Sequence, residues 1–497
     1  MTGGVPTDLA ADIDHWARRR RRAIAVRDDE GERDYEELAA AIEHCAGLLA
    51  ADHGVGRGER VAYVGLNRAA LLVTLYACSR LGAAMVVCNW RLTPAEIAAL
   101  VGDARPRVLL GDDDMVGPIP LPASVPARAV GDLRLEAGAA PPAPRVGSLD
   151  DVVLIVYTSG TTGSPKGAML TQRAVVSNAA NSVYMHDLTA DDHVLTVLPM
   201  FHVGGLNIQT TPALRAGATV TIRARFDPGR WLADVERLRP TLSVLVPAMM
   251  AAVIDHPEWP RADLSSLRMV ATGSTFVPVP LIEAFHERRI PVAQVYGSTE
   301  TSPIAVCQTA TEALQAPGAT GTPPPGCELR LVDVDGRPAR AGEVGEVLVK
   351  GDNLFAGYWQ RSEATAEVLV DGWYRTGDVG AIDATGQLRI SDRLRDVVIS
   401  GGENIYPAEL ERVIGQLAAV AEVAVVGAPD ARWGERPVAF VVARSGAVLN
   451  EDDVREHLVI NVAGYKHPAR VHFLDSLPRN VMGKVQKDQL RIRARTP

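Results

Sequence analysis

Cysteine is scarce in this chain of 497 residues. The five present, Cys45, Cys78, Cys88, Cys307 and Cys327, are scattered. They form no CxxC pair and have no histidine at metal-ligand spacing, which excludes a disulfide framework and a structural zinc site and predicts reduced thiols in a cytoplasmic protein. Positive charge is also short. With 51 basic against 60 acidic residues the net charge is −9 and the pI near 5.7, so a broad phosphate-gripping surface for nucleic acid is excluded. The one basic cluster, Arg18 to Arg22, is followed by Asp28, Asp29, Glu30 and Glu32 and reads as a solvated helix face. Long apolar runs are missing too. The stretch Ala69 to Ser79 is stopped by Arg80, and no charged-then-apolar leader opens the chain, so neither a transmembrane segment nor a signal peptide is expected. Internal repeats and low-complexity tails are absent.

What is there is apolar mass: 47% of the residues are hydrophobic, enough for one or more full cores. Short β-type runs recur through the middle, at Val152–Tyr157, Val194–Leu198, Leu242–Val246, Leu267–Ala271 and Val292–Tyr296, each ending in small or polar residues. Between them lie stretches with helical periodicity, such as Pro228–Leu238 and Pro280–Arg288. The pattern predicts an α/β fold with largely parallel sheets, whose ligands sit beyond the carboxyl ends of the strands. Gly111 to Pro144, rich in Pro, Ala, Gly and Asp, reads as connecting structure. Past Gly318, short strands with turn signals predict a β-rich subdomain. From about Asp392 a charged stretch, a glycine pair and alternating helix and strand patterns predict a small α+β domain. The expected boundary lies within Ser391–Asp396, giving an N-terminal domain of residues 1–391 and a C-terminal domain of residues 392–497.

Five loops carry chemical groups. The run from Tyr157 to Gly167 packs hydroxyls, three glycines and Lys166 behind a strand, a composition able to wrap a polyphosphate with backbone N–H groups, hydroxyls and one cation. It is not a Walker A motif, because Lys166 is followed by Gly167 rather than by Ser or Thr. Tyr296 to Thr301 offers an aromatic face, hydroxyls and the carboxylate of Glu300, which suits a hard divalent cation; a plain helix N-cap at Ser298 or Thr299 fits the same residues. In Asp371 to Asp378, the Asp378 carboxylate could accept two vicinal ribose hydroxyls or serve as a structural turn residue. The run Ser391 to Pro407 joins the two domains, and Pro478 to Lys484 places a lysine after a glycine.

In this order the five segments resemble the adenylate-forming (ANL) superfamily of acyl-CoA synthetases, nonribosomal peptide adenylation domains and luciferases. The resemblance covers nearly the whole chain. It is most specific to bacterial fatty acyl-CoA and aryl-CoA ligases, through Tyr157–Gly167, Trp373–Asp378 and Ser400–Pro407. It implies an AMP-forming acid–thiol ligase using ATP, Mg2+ and coenzyme A, acting on a fatty acid of medium or long chain or on an aromatic, hydroxycinnamic-type acid. By carry-over, Thr158, Ser159, Gly160, Thr161, Thr162, Gly163 and Lys166 hold the β and γ phosphates, and Glu300 with Thr158 meets magnesium. Thr299, beside Gly297 and Ser298, touches the α-phosphate. Gly273, Ser274, Thr275 and Tyr296 flank adenine, and Asp378 with Arg393 binds ribose. Lys484 matches the family lysine that bridges the attacking carboxylate and the α-phosphate, where a positioned cation stabilises the transition state more than the ground state.

The resemblance also implies a swing of the small domain about Arg395, where many relatives carry Lys, and a pantetheine tunnel lined by Ser400, Gly401 and Gly402. The acyl pocket is expected behind Phe201 to Gly205, with His202 as gate or as a satisfied core histidine. Gly204, Gly205 and Gly273 are expected to leave that pocket open. For a dicarboxylate substrate, Arg215 and Arg223 are the candidate counter-charges. A carrier-protein-loading enzyme and a luciferase-like oxidative use of the adenylate are the alternative functions. The chain runs only 13 residues past Lys484, so no fused carrier domain is expected. The partners implied are a small carboxylic acid and, allowed but not specified, a second copy in a homodimer.

Overall fold

The computed structural model describes residues 7–133, 142–158, 165–274, 277–333, 335–340, 342–400, 403–430, 432–479 and 485–495. The chain divides into two compact units, one of residues 1–329 with 349–375, the other of residues 330–348 with 376–497.

The first unit is built on two large sheets. One has the strand order Val306–Cys307, Val292–Tyr296, Met269–Gly273, Leu242–Val244, His193–Thr196, Thr219–Ile222, Ile24–Arg27, Glu32–Asp34. Its inner strands are parallel, and only the two edge pairs are antiparallel. The other runs Gly357–Tyr358, Lys166–Thr171, Val152–Thr158, Ala84–Cys88, Arg60–Val64, Val108–Gly111, Ala127–Ala129. Here too the centre is parallel, while Val152–Thr158 and Lys166–Thr171 form an antiparallel hairpin. Strands covered by helices on both faces are apolar throughout, which is why these runs lack the alternation of a half-exposed sheet; Ala84–Cys88 is buried at every position. The Pro- and Ala-rich stretch after Gly111 is more than a connection, since Ala127–Ala129 adds an edge strand beside Val108–Gly111.

Helix ends follow local chemistry. Pro228–Leu238 starts where Asp227 accepts from the Arg230 N–H at 2.7 Å and proline fills the first turn. Gln172–His186 starts where Thr171 accepts from the Ala174 N–H at 3.1 Å. That second helix follows the hairpin directly and carries a buried polar stripe, Asn178, Asn181, Ser182 and His186, on one face by helical spacing.

In the second unit, Gly434–Ala443 pairs along one edge with Val420–Asp430; its other edge takes Val398–Ser400, itself paired with Glu403–Ile405, at the Gly434 end and Arg470–Phe473 further along. The helices Pro407–Ile414 and Glu451–Asn461 bury Leu410, Val413, Ile414, Val454 and Leu458 against it. The short strands expected after Gly318 are present as Cys327–Val332, Gly345–Gly351, Trp373–Ile382 and Leu388–Arg393, the last running across the 391/392 position. Among the described residues, no helix is long and apolar enough to cross a membrane.

Candidate active site

In the first unit the sequence motifs meet at the carboxyl ends of strands. Thr158 ends one hairpin strand and pairs with Lys166, which begins the other; the Thr158 hydroxyl donates to the Lys166 carbonyl at 3.4 Å. Ser159, Gly160, Thr161, Thr162 and Gly163 lie outside the described residues. Gly357–Tyr358 adds a third strand to the hairpin, with Tyr358 opposite Ala168 and the Trp359 N–H donating to the Gly167 carbonyl at 2.7 Å. The hairpin is braced from its other side by Asp103, which accepts from the Tyr157 hydroxyl at 2.6 Å and from Arg361 at 3.0 Å.

Tyr296 is the last residue of its strand. After it, Gly297 lets the chain fold back: a Cβ there would lie 1.8 Å from the Pro303 carbonyl oxygen and 2.5 Å from the Thr301 hydroxyl, distances no side chain tolerates. Ser298 stands at the cap position of a single 3-10 turn, Thr299–Thr301. Its hydroxyl takes the capping-box position toward the Thr301 N–H, yet is buried with no hydrogen bond of full geometry among the described residues. The N–H that it might have capped is served instead by the Ser298 carbonyl, which accepts from the Thr301 N–H at 3.1 Å. A buried hydroxyl left unpaired beside such a loop costs free energy, and a phosphate oxygen would satisfy it.

Glu300 is 7% exposed. One oxygen, Oε1, accepts from the Tyr358 hydroxyl at 2.7 Å; Tyr358 in turn offers its ring face to the Lys166 ammonium, 5.3 Å from the centroid. Among the described residues, the side-chain partner of this carboxylate is a neutral donor rather than a cation, an arrangement suited to a divalent metal. Gly273 ends the neighbouring strand, and Ser274 follows it with φ of +75°, a left-handed conformation uncommon outside glycine. Thr275 lies outside the described residues.

The segments on either side of His202 are held by amides that the sequence did not flag. Asn67 donates to the Leu198 carbonyl at 2.8 Å and accepts from the Met200 N–H at 2.8 Å. Asn178 accepts from the Ile304 N–H at 2.8 Å and donates to the Asn207 carbonyl at 2.7 Å, so one helix ties the segment after Glu300 to the segment after His202. The His202 ring packs against Phe201 with centroids 4.8 Å apart and planes tilted by 48°, and burial, with the nearby Arg91 charge adding, pushes its imidazole down to about 4, so that it is neutral at pH 7.

The expectation of an open pocket at the three glycines needs correction. A Cβ at Gly205 would lie 2.3 Å from the Pro199 carbonyl, and one at Gly273 2.3 Å from the Val295 carbonyl. Both glycines admit close backbone approach rather than substrate. Only Gly204 has room, its nearest neighbour being Ile208 at 3.9 Å. The cavity beside Gly204, Gly205, Thr196 and Gln209 measures about 10 Å³, space for a single water. The two candidate counter-charges are already occupied: Arg223 forks onto Asp234 at 2.6 and 2.8 Å, and Arg215 pairs with Asp12.

In the second unit Asp378 and Arg393 are cross-strand partners, and the Arg393 Nε lies 3.1 Å from Asp378 Oδ1. The sequence placed them in separate motifs; strand pairing brings them together. Arg395 falls in the turn Leu394–Asp396, its side chain outside the described residues, as are Gly401, Gly402 and Lys484.

Comparison with known proteins gives the family. The AMP-binding enzyme family matches residues 13–359, and the AMP-binding enzyme C-terminal domain matches residues 409–484. An indoleacetate–CoA ligase of Aromatoleum aromaticum is 45% identical over 503 residues, covering 97% of this chain and 98% of its own. A feruloyl-CoA synthase of an Amycolatopsis species is 41% identical over 490 residues, covering 96% and 98%. The structure of the o-succinylbenzoate coenzyme A synthetase MenE from Bacillus subtilis, in complex with ATP and magnesium, superposes with a TM-score of 0.86 at 31% identity, covering 96% of this chain and 98% of that one. Strand-end loops, family match and end-to-end kinship with ligases converge: the chain belongs to the AMP-binding enzyme family and is an AMP-forming acid–thiol ligase of the CoA ligase kind.

Proposed function

We propose that this enzyme is an aryl-acid CoA ligase, activating an aromatic carboxylic acid of the indoleacetic or hydroxycinnamic type. The observation that carries this reading is full-length similarity to two ligases named for aromatic acids. Two features support it. Arg215 and Arg223 are committed to Asp12 and Asp234, so neither offers a counter-charge to a second substrate carboxylate. His202 is neutral and packed on Phe201, an apolar border for a ring.

The substrate carboxylate oxygen attacks the α-phosphorus of ATP, the bond to pyrophosphate breaks, and an acyl adenylate forms. The thiol sulfur of coenzyme A then attacks the acyl carbon and AMP leaves. In this reading Lys166 and the loop from Thr158 bind the β and γ phosphates, the unpaired Ser298 hydroxyl and Thr299 bind phosphate oxygens, and Glu300 with Thr158 holds magnesium. Magnesium supplies charge neutralisation at the phosphates. Gly273, Ser274, Thr275 and Tyr296 border adenine, and Asp378 with Arg393 takes ribose. Lys484 stabilises charge growing at the α-phosphate. Residues 392–497 act as the moving domain, with Arg395 as its pivot and Gly401 and Gly402 beside the thiol arm.

A panel of free acids assayed for CoA-dependent AMP release tests the proposal. Indoleacetate, ferulate, octanoate and palmitate should rank with an aromatic acid first by about tenfold or more in kcat/KM, the scale on which one well-filled pocket discriminates. A fatty acid ranking first overturns it.

A further inference from the structure

We propose that Tyr358 is a positioning residue for the adenylation step, its hydroxyl orienting Glu300 and its ring steadying Lys166. This deepens the reading above and rests on its assignment of Glu300 to the metal and of Lys166 to the phosphates.

Tyr358 stands where two otherwise separate motifs meet. Its backbone belongs to the hairpin, through the pairing of Gly357 with Met169 and of Tyr358 with Ala168. Its hydroxyl belongs to the other loop, donating to Glu300 Oε1 at 2.7 Å. The same short segment repeats the link in its backbone: the Phe355 N–H donates to the Glu300 carbonyl at 2.8 Å and the Ala356 N–H to the Met169 carbonyl at 2.8 Å. The ring is buried, 8% exposed, and held edge-on by Phe355 at 4.9 Å. It has little freedom to release either partner.

Each contact has a distinct effect. A hydroxyl is a neutral donor, so it fixes the carboxylate's rotation without cancelling the charge a cation needs, as an arginine would. On the ring face, the Lys166 ammonium gains a cation–π contact that asks for no hydrogen bond, leaving its three N–H donors for phosphate. One side chain thereby aligns a carboxylate and a cation that must act on the same polyphosphate.

The test uses the full-length enzyme and Mn2+ as the metal probe. Mn2+ binding is followed by electron paramagnetic resonance in protein saturated with α,β-methylene-ATP, for the parent, Tyr358→Phe, Glu300→Gln and the double variant. Tyr358→Phe should weaken Mn2+ binding about tenfold, the scale of one hydrogen bond to a charged group. The double variant should bind Mn2+ no more weakly than Glu300→Gln alone, since the hydroxyl acts through that carboxylate. In pyrophosphate exchange, Tyr358→Phe should raise the Mg2+ needed for half-maximal rate and leave the rate at saturating Mg2+ within about threefold, a split that a packing defect would not give. If Glu300→Gln weakens Mn2+ while Tyr358→Phe does not, or if the two losses add, the positioning role is overturned and the Glu300 assignment stands. If Glu300→Gln itself leaves Mn2+ binding unchanged, the metal assignment falls and this inference with it. Should the Phe variant not fold, 3-fluorotyrosine at position 358 keeps the test open: its 19F resonance should move when Mg2+ is added to the analogue-saturated enzyme and stay fixed in Glu300→Gln, and a resonance indifferent to Mg2+ overturns the proposal.

Discussion

Two carboxylates in this protein are read as nucleotide ligands, and their surroundings differ in kind. Glu300 in the first unit is buried, in a turn closed by the approach of Gly297 to Pro303, and its oxygen is held by a neutral hydroxyl. Asp378 in the second unit lies on a strand pair, facing an arginine whose side chain is 42% exposed. A buried, undercompensated charge is costly and persists only where the surrounding packing enforces it. A half-exposed ion pair costs and contributes little, because solvent screens it. On the proposed reading, the first arrangement would be preorganised for a metal and phosphates, and the second would be a site that an incoming pair of hydroxyls remodels cheaply.

Gly297→Ala should break the comparison most severely. A methyl group 1.8 Å from the Pro303 oxygen has to displace backbone, so Glu300 loses its place. We expect a loss of about two decades or more in pyrophosphate exchange, with a lowered melting temperature in the first unit. A variant with parental activity would show that this loop is not preorganised.

Acid should separate the two units next. Burial pushes His186, His193 and His202 of the first unit each down to about 4. Above pH 6.5 both folded and unfolded forms are neutral and no stability is lost. As pH falls from 6.5 toward 4, the unfolded chain takes up protons that the folded one refuses, and each histidine removes up to about 1.4 kcal/mol per pH unit. Hydrogen exchange at pH 7.5 and 5.0 should show protection in residues 172–222 falling before that in residues 420–443. Equal losses would mean that the histidines are not held neutral.

Arg393→Ala should have the smallest structural effect and so sharpen the contrast. Stability should change by about 0.5 kcal/mol or less, given the exposure of the pair, whereas the KM for ATP should rise by roughly three- to tenfold if the pair takes ribose. Calorimetry and ATP titration measure the two quantities separately, and an unchanged KM would return the pair to the role of a strand cross-link.

Much of this was legible because local chemistry and tertiary structure agree. Pro228–Leu238 matches its helix to the residue, since Asp227, Pro228 and the apolar spacing all point the same way. Val292–Tyr296 matches its strand for a similar reason. The glycines were harder, because a missing side chain is equally consistent with room for substrate and with backbone pressed against backbone; Gly205 and Gly273 proved to be the second. Ala127–Ala129 was hidden by composition, as an edge strand of three residues needs only one partner and no apolar run. Tyr358 and Asn178 were invisible for another reason. Nothing near them in sequence marks them as polar partners of Glu300 and Ile304, and a buried tyrosine or asparagine takes its meaning only from what folds against it.

The strand Gly357–Tyr358 also sets an order of events during synthesis. The hairpin of Val152–Thr158 with Lys166–Thr171 and the turn bearing Glu300 can each form soon after leaving the ribosome, being local in sequence. The piece that joins them emerges far later and pairs with Met169 and Ala168 across a long stretch of intervening chain, a closure that is slow because loop entropy is lost before contacts repay it. Until then the growing polypeptide carries the hairpin and the turn bearing Glu300 without the link through Tyr358. The link between the hairpin and Glu300 is thus completed only once residues 357 and 358 have been made.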